Sequence, residues 1–318
     1  MIVTLTANPS IDRALALDAP LVPGEVQSAR AAREDAGGKG VNVARVVAAA
    51  GVDTLAVVPV SDDDPFNDLL RATGIPIRTV PSAGRVRANL TVTDPDGVTT
   101  KINLPGPVLD EQGAFAIIDA VVAACADARW LVLAGSLPPR AGADFYTRVI
   151  GAVRETWGSA APRIAVDASG PALAAVVRDA LPDLIKPNDE ELAALVGEDP
   201  SADTDLVAEA ARRSQTIVPS RAATALVTLG ASGALLVTGG GVLRAVAPRI
   251  AVASTVGAGD SSLAGYLLAD IAGRTPAECL AQAVAYGAAA AMLPGTQAPT
   301  PEDLPPEAIA VSSFSSSF

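Results

Sequence analysis

The chain has 318 residues, half of them apolar, 3 % aromatic and none histidine, which excludes disorder and every mechanism that needs an imidazole as base or metal ligand. A formal charge of −12 argues against nucleic acid and anionic membranes as partners, while leaving room for a local cationic site. No apolar run approaches the ~18 residues of a spanning helix, the start lacks a charged-then-apolar leader, and Cys125 and Cys279 offer no metal-ligand spacing, so a cytoplasmic location is expected.

From the N-terminus, short apolar runs alternate with helical patterns. Strands are predicted at 2–6, 54–60, 130–134, 164–167, 184–185, 225–229, 234–238 and 242–247, and helices at 41–50, 65–72, 110–126, 144–157, 171–180, 190–196, 204–214, 258–272 and 276–292. Such alternation predicts an α/β fold with a mostly parallel sheet and crossover helices. One hairpin interrupts it: residues 85–93 and 98–104 flank the turn Asp94-Pro95-Asp96-Gly97. Side-chain alternation puts Arg85, Arg87 and Asn89 on one face, and Lys101 and Asn103 together on the returning strand. If these sets pair, three cations and two amides share a face, either as a solvated exterior or as a lid closing on an anionic ligand. A single domain is expected over 1–310, with the serine-rich residues 311–318 frayed.

Ser254-Thr255-Val256-Gly257-Ala258-Gly259-Asp260-Ser261 opens the helix at 258–272. Small residues there let backbone N–H groups and the positive end of a helix meet an anion. Asp260, in the first turn, is either a cap or a base that removes a proton from an attacking hydroxyl while the amides hold developing charge. Gly37-Gly38-Lys39-Gly40-Val41-Asn42 precedes another helix and lacks the P-loop spacing; it reads as a tight turn or as a glycine-lined pocket in which Lys39 and Asn42 contact a sugar. Asn188 and Glu191, three apart after Lys186-Pro187, form either a capping pair or a set of oxygens suited to hydrated Mg²⁺. Asp12 follows the first strand, where open α/β sheets bind ligands, and reads either as a partner for sugar hydroxyls or as a turn residue. Thr228-Leu229-Gly230-Ala231-Ser232-Gly233 joins two strands as a nucleotide loop or a plain hairpin. Lysine occurs only at 39, 101 and 186, against twenty arginines.

Taken together and in this order, the motifs resemble the ribokinase-like (PfkB) carbohydrate kinase family over residues 1 to about 300. The glycine–lysine and Thr255–Asp260 segments look like its two signatures; Asn188 with Glu191 and Thr228 to Gly233 look like its magnesium and nucleotide motifs. Asn8-Pro9-Ser10-Ile11-Asp12, Gly135-Ser136-Leu137-Pro138-Pro139 and Lys186-Pro187-Asn188 look most like its phosphosugar branch, the 1-phosphofructokinases, tagatose-6-phosphate kinases and minor 6-phosphofructokinases. The resemblance implies a three-layer α/β/α core with a small β-sheet lid from about 10–36 and 85–105, ATP and Mg²⁺ as cofactors, and a homodimer through the lid. It implies Asp260 as the general base with the Gly257, Ala258 and Gly259 amides as anion hole. Asp12, Gly38, Lys39, Asn42, Arg87, Asn89 and, on the lid's polar face, Lys101 would contact the phosphosugar. Lys186, Asn188, Thr228, Gly230 and Gly233 would contact the nucleotide, and Glu191, with Asn188, would organise magnesium through water. Phosphorylation of fructose 1-phosphate to fructose 1,6-bisphosphate is the expected reaction, with fructose 6-phosphate and tagatose 6-phosphate as alternative acceptors and a silent sugar or nucleotide sensor as the alternative of another class.

Overall fold

The computed structural model describes residues 1–199 and 205–314. The chain starts in β1 (Ile2–Thr6), leaves it for two long strands, β2 (Ser10–Leu17) and β3 (Ala29–Gly37), and returns through α1 (Lys39–Ala49) to β4 (Thr54–Pro59), α2 (Phe66–Ala72) and β5 (Ile77–Val80). The hairpin β6 (Arg87–Thr93) and β7 (Thr99–Asn103) comes next. It precedes α3 (Glu111–Ala124), β8 (Trp130–Ala134), α4 (Phe145–Trp157), β9 (Arg163–Asp167), α5 (Gly170–Asp179), β10 (Leu184–Ile185), α6 (Asp189–Val196) and α7 (Leu206–Gln215). The remainder is β11 (Thr224–Thr228), β12 (Ala234–Thr238), β13 (Gly241–Ala245), α8 (Ala258–Ile271), α9 (Pro276–Met292) and β14 (Val311–Phe314).

Among the described residues, one large sheet runs β14-β13-β12-β11-β10-β9-β8-β1-β4-β5 and a small one runs β3-β2-β6-β7. The large sheet is parallel from β5 to β11 and antiparallel beyond. Its strands are apolar on both faces because both are covered. Val3, Leu5, Leu131 and Leu133 pack on α3, α4 and α5, while Ile2, Trp130 and Val132 pack on α1, α8 and α9. The last two helices approach closely through glycine: a side chain at Gly265 would collide with the Gln282 carbonyl and Tyr286, and one at Gly287 with Ser262.

From β1 the chain steps first to β4 and β5 on one side, then to β8, β9, β10 and β11 on the other. The loops after β1 and β8 therefore diverge, which opens a crevice above the carboxyl ends of these strands. The small sheet stands over that crevice. In its hairpin Asn89 faces Asn103 and Thr91 faces Lys101, so the two polar sets do pair. β2 joins in parallel beside β6, with Asp12 opposite Asn89. Arg85 lies ahead of β6 and is exposed, so two cations, not three, come from the paired strands.

β2 and β3 are not among the predicted strands but lie in the lid span that the resemblance implies, and two more elements depart from the sequence expectation. Ile77–Val80 forms an edge strand beside β4; the flanking Pro76 and Pro81 hide it in the sequence, but an edge tolerates missing donors. Residues 311–314 are not frayed, because Val311–Phe314 pairs antiparallel with β13. Backbone pairing along an open sheet edge holds this polar stretch without an apolar pattern of its own. The expectation for 315–318 and the start of the 204–214 helix lie outside the described residues.

Candidate active site

The crevice is a cleft of about 1180 Å³, larger than the ~300–1,000 Å³ usual for one ligand. All three lysines of the chain line it, with Arg87 and Arg249. A −12 protein thus gathers its scarce ammonium groups in one place, which is what an anionic ligand requires.

The lid half is built by short hydrogen bonds. Ser10 Oγ donates to Asp12 Oδ1 at 2.8 Å, and Asn89 Nδ2 donates to both Ser10 Oγ and Asp12 Oδ1 at 3.0 Å. Burial raises the Asp12 carboxyl against these bonds, which lower it. Arg87 donates to Ser136 Oγ at 3.3 Å, and Asn8 Nδ2 donates to the same oxygen at 3.2 Å. Arg87 Nε, Asn89 Oδ1, Asn8 Oδ1 and Asn42 Oδ1 are buried without a partner. All four belong to side chains that line the cleft, and such unpaired polar atoms suit a polar ligand. Lys101 and Asn103 border it from β7, and Gly38, at φ 120°, forms its floor where a side chain would strike Thr6.

At the centre, Gly257 caps α8 with φ 79° and no side-chain cap. The Ala258 N–H makes a long contact of 3.4 Å to the Thr255 carbonyl. The N–H groups of Gly257, Gly259 and Asp260 have no backbone partner among the described residues. Ser254 Oγ braces the turn by accepting from Val256 N at 3.2 Å. Asp260 is 6 % exposed and accepts from Asn42 Nδ2 at 2.8 Å. Burial, then the nearby Asp167 charge, pushes its carboxyl up to about 6, against Lys39, Asn42 and Lys186, which lower it.

The third part is the far end of the cleft. Lys186, Asn188, Thr228, Gly230 and Gly233 all line it. Loop and hairpin are one object here: Gly230–Ser232 is a single tight turn between β11 and β12, and a side chain at Gly233 would run into the Ala245 carbonyl. Asn188 Oδ1 accepts from Glu191 N at 2.7 Å, and Glu191 Oε2 accepts from Asn188 N at 3.0 Å. This is a complete capping box at the head of α6, so the structural alternative is realised. It does not exclude the other, since both side chains also border the cleft and Glu191 Oε1 makes no hydrogen bond among the described residues. No cluster of three metal-binding side chains exists among the described residues. Mg²⁺, which keeps several waters and takes one or two carboxylates plus phosphates, fits such a sparse donor set.

With this geometry, similarity to known proteins becomes informative. The model of the pfkB family carbohydrate kinases matches residues 5–303. The chain belongs to the pfkB family of carbohydrate kinases. It is 34 % identical to a 1-phosphofructokinase of Rhodobacter capsulatus, over 95 % of this chain and 94 % of that one. It is 33 % identical to the ATP-dependent 6-phosphofructokinase isozyme 2 of Mycobacterium tuberculosis, over 95 % and 87 %. The structure of Escherichia coli phosphofructokinase-2 in complex with substrates and products is similar with a TM-score of 0.84 at 32 % identity, covering 95 % and 96 %.

Within this pfkB kinase, the cleft brings together every expected site residue. In it and directly beneath it lie residues that motif reading missed. Asp167 lies wholly buried between Lys39 and Lys186; it ends a predicted strand at the sheet's ligand-binding edge, and that position was its signal. Ser136 joins Asn8 and Arg87. Gly287, Ala288 and Ala291 of α9, with Ile250 and Val252, give the cleft a small-residue and apolar stretch of lining. Small residues on a buried helix read as packing, so the sequence held no sign of it.

Proposed function

We propose that the chain transfers the γ-phosphoryl group of ATP to a ketohexose phosphate, with fructose 1-phosphate the first choice and fructose 1,6-bisphosphate and ADP the products. One observation carries the reading: a buried carboxylate of raised basicity, Asp260, stands beside unpartnered N–H groups, between a cationic, amide-rich lid and a loop-lined slot. Asp260 takes the hydroxyl proton of the sugar; the oxygen attacks the γ-phosphorus as its bond to the ADP oxygen breaks. The free N–H groups stabilise the negative charge on the transferred group. Arg87, Lys101 and Asn89 hold the sugar's own phosphate, Asp12 and Asn42 its hydroxyls. The small-residue lining from α9 suits a purine face, and the turn at Gly230 wraps the nucleotide. Glu191 and Asn188 would hold magnesium through water, and that ion would neutralise the polyphosphate charge. Residues 10–36 and 85–105 act as the lid, whose closure limits loss of ATP to water.

Fructose 6-phosphate is the second acceptor, favoured by the name of the Mycobacterium tuberculosis relative. The lid's outer face, opposite Lys101 and Asn103, carries Leu90 paired with Ile102 and Leu15 paired with Val92; Ile102 is 51 % exposed. That apolar strip supports a homodimer formed through the lid. ADP release measured with fructose 1-phosphate, fructose 6-phosphate, tagatose 6-phosphate, fructose and ribose tests the acceptor class. A phosphosugar should give the highest kcat/KM; preference for an unphosphorylated sugar would overturn the reading.

A further inference from the structure

Asp167 ends β9 beneath the cleft, 0 % exposed, reaching it only through Lys39 and Lys186, which line it, and no step above uses it. Its Oδ1 accepts from Lys39 Nζ at 2.6 Å, and its Oδ2 lies 3.2 Å from Lys186 Nζ. Lys39 opens α1 beside the sugar seat. Lys186 follows β10, and its ammonium sits 3.2 Å from the point a Cβ on Gly259 would occupy, against the anion hole. One carboxylate therefore holds two cations that belong to the two halves of the cleft. Without an anion between them, the half-buried Lys39 and the buried Lys186 would repel each other and seek another acidic partner. Asp260 is that partner, since both lysines already act on it. A base caught in ion pairs loses its affinity for a proton.

We propose that Asp167 is a positioning residue for phosphoryl transfer: by binding Lys39 and Lys186 together it fixes both cations beside the transferred group and keeps them off Asp260. This rests on the kinase reading with Asp260 as base.

The groups around Asp260 support it. Lys39 and Asn42 face it from α1, Asp167 from β9 and Lys186 from the segment after β10; Glu191, on α6, acts on Lys39. Tyr146, from α4, also feels the Asp167 charge, but its hydroxyl is engaged with the Ala134 and Gly135 carbonyls. Burial alone would raise the Asp167 carboxyl, yet the two lysines hold it below its ordinary value. It is therefore ionised, and its charge raises Asp260. Neutralising Asp167 lowers the basicity of Asp260 twice over, by removing that charge and by releasing the lysines toward it.

The test measures kcat, both KM values and kcat/KM against pH for the wild type, Asp167→Asn and Asp167→Glu, with the phosphosugar that the wild type turns over best. Asp167→Asn should lose about 100-fold in kcat and shift the acidic limb of its profile down by about one pH unit. Asp167→Glu keeps the charge and misplaces it, so the limb should stay while kcat drops about tenfold. A merely structural role would lower the active fraction and leave the limb of Asp167→Asn unmoved, and that result overturns the proposal. If the Asn variant does not fold, the Glu variant decides, and an unchanged kcat there overturns it equally. A wild type that turns over no phosphosugar would instead remove the kinase reading itself.

Discussion

Asp260, the proposed base, combines two burdens, since the burial that raises its basicity also makes its ionised form unfavourable. Its folded-state value of about 6 lies above the ~3.9 of an unfolded chain. The stability it confers is thus complete below the unfolded value and is lost as pH rises through about 6. At pH 7.5 Asp260→Asn should raise the unfolding midpoint, by a free energy of at most a few kcal/mol, and the gain should shrink at pH 5.5; calorimetry at both values checks it. The same variant should lose about 10³-fold in kcat, within the range for a general base, with phosphosugar KM altered little. For the wild type, kcat/KM should fall tenfold per pH unit below about 6, because only the carboxylate accepts the proton. A profile flat down to pH 5 would contradict the assignment.

Elements bring the remaining groups to bear, and each contributes a separable effect. The Arg87 guanidinium on β6 donates to Ser136 and keeps a free Nε, so Arg87→Ala should raise the phosphosugar KM about 10- to 100-fold, the loss of one charge-assisted contact. The KM for ATP should move less than about twofold by the same reasoning; equal effects would place Arg87 outside the acceptor seat. The capping box of α6 allows a cleaner experiment than the motif alone suggests. Glutamine at N3 preserves the box, so Glu191→Gln should leave the unfolding midpoint unchanged and raise the Mg²⁺ concentration needed for half-maximal rate. A lowered midpoint with unchanged Mg²⁺ demand would restrict Glu191 to capping.

The whole molecule gathers all three of its lysines at one cleft of an otherwise acidic chain and roofs it with a sheet that has two different faces. Its inner face carries Asn89, Lys101 and Asn103, and its outer face carries the apolar strip ending at Ile102. If two lids meet through that strip, Ile102→Glu should convert a dimer into a monomer near 31.8 kDa, read by sedimentation. It should also raise the phosphosugar KM, because a lid without its partner orders less readily. A wild type that sediments as a monomer at assay concentration would remove the lid interface.

The alternation of strands and helices, the lid hairpin with its polar face, and the small-residue turn that ends in Asp260 were all legible in the sequence. These follow from local periodicity, turn chemistry and the steric freedom of glycine, which neighbours in the chain decide. Asn188 and Glu191 show where local reading divides, since one spacing serves a cap and a metal equally well, and the structure contains the cap while keeping both groups at the cleft. Packing between distant segments puts Asp167 between Lys39 and Lys186, pairs residues 311–314 along a sheet edge, and brings small residues of α9 to the cleft. Those facts depend on which segments, 128 residues apart for Lys39 and Asp167, are packed into contact. Burial and the electric field at a site are properties of that packing, and no local pattern encodes them.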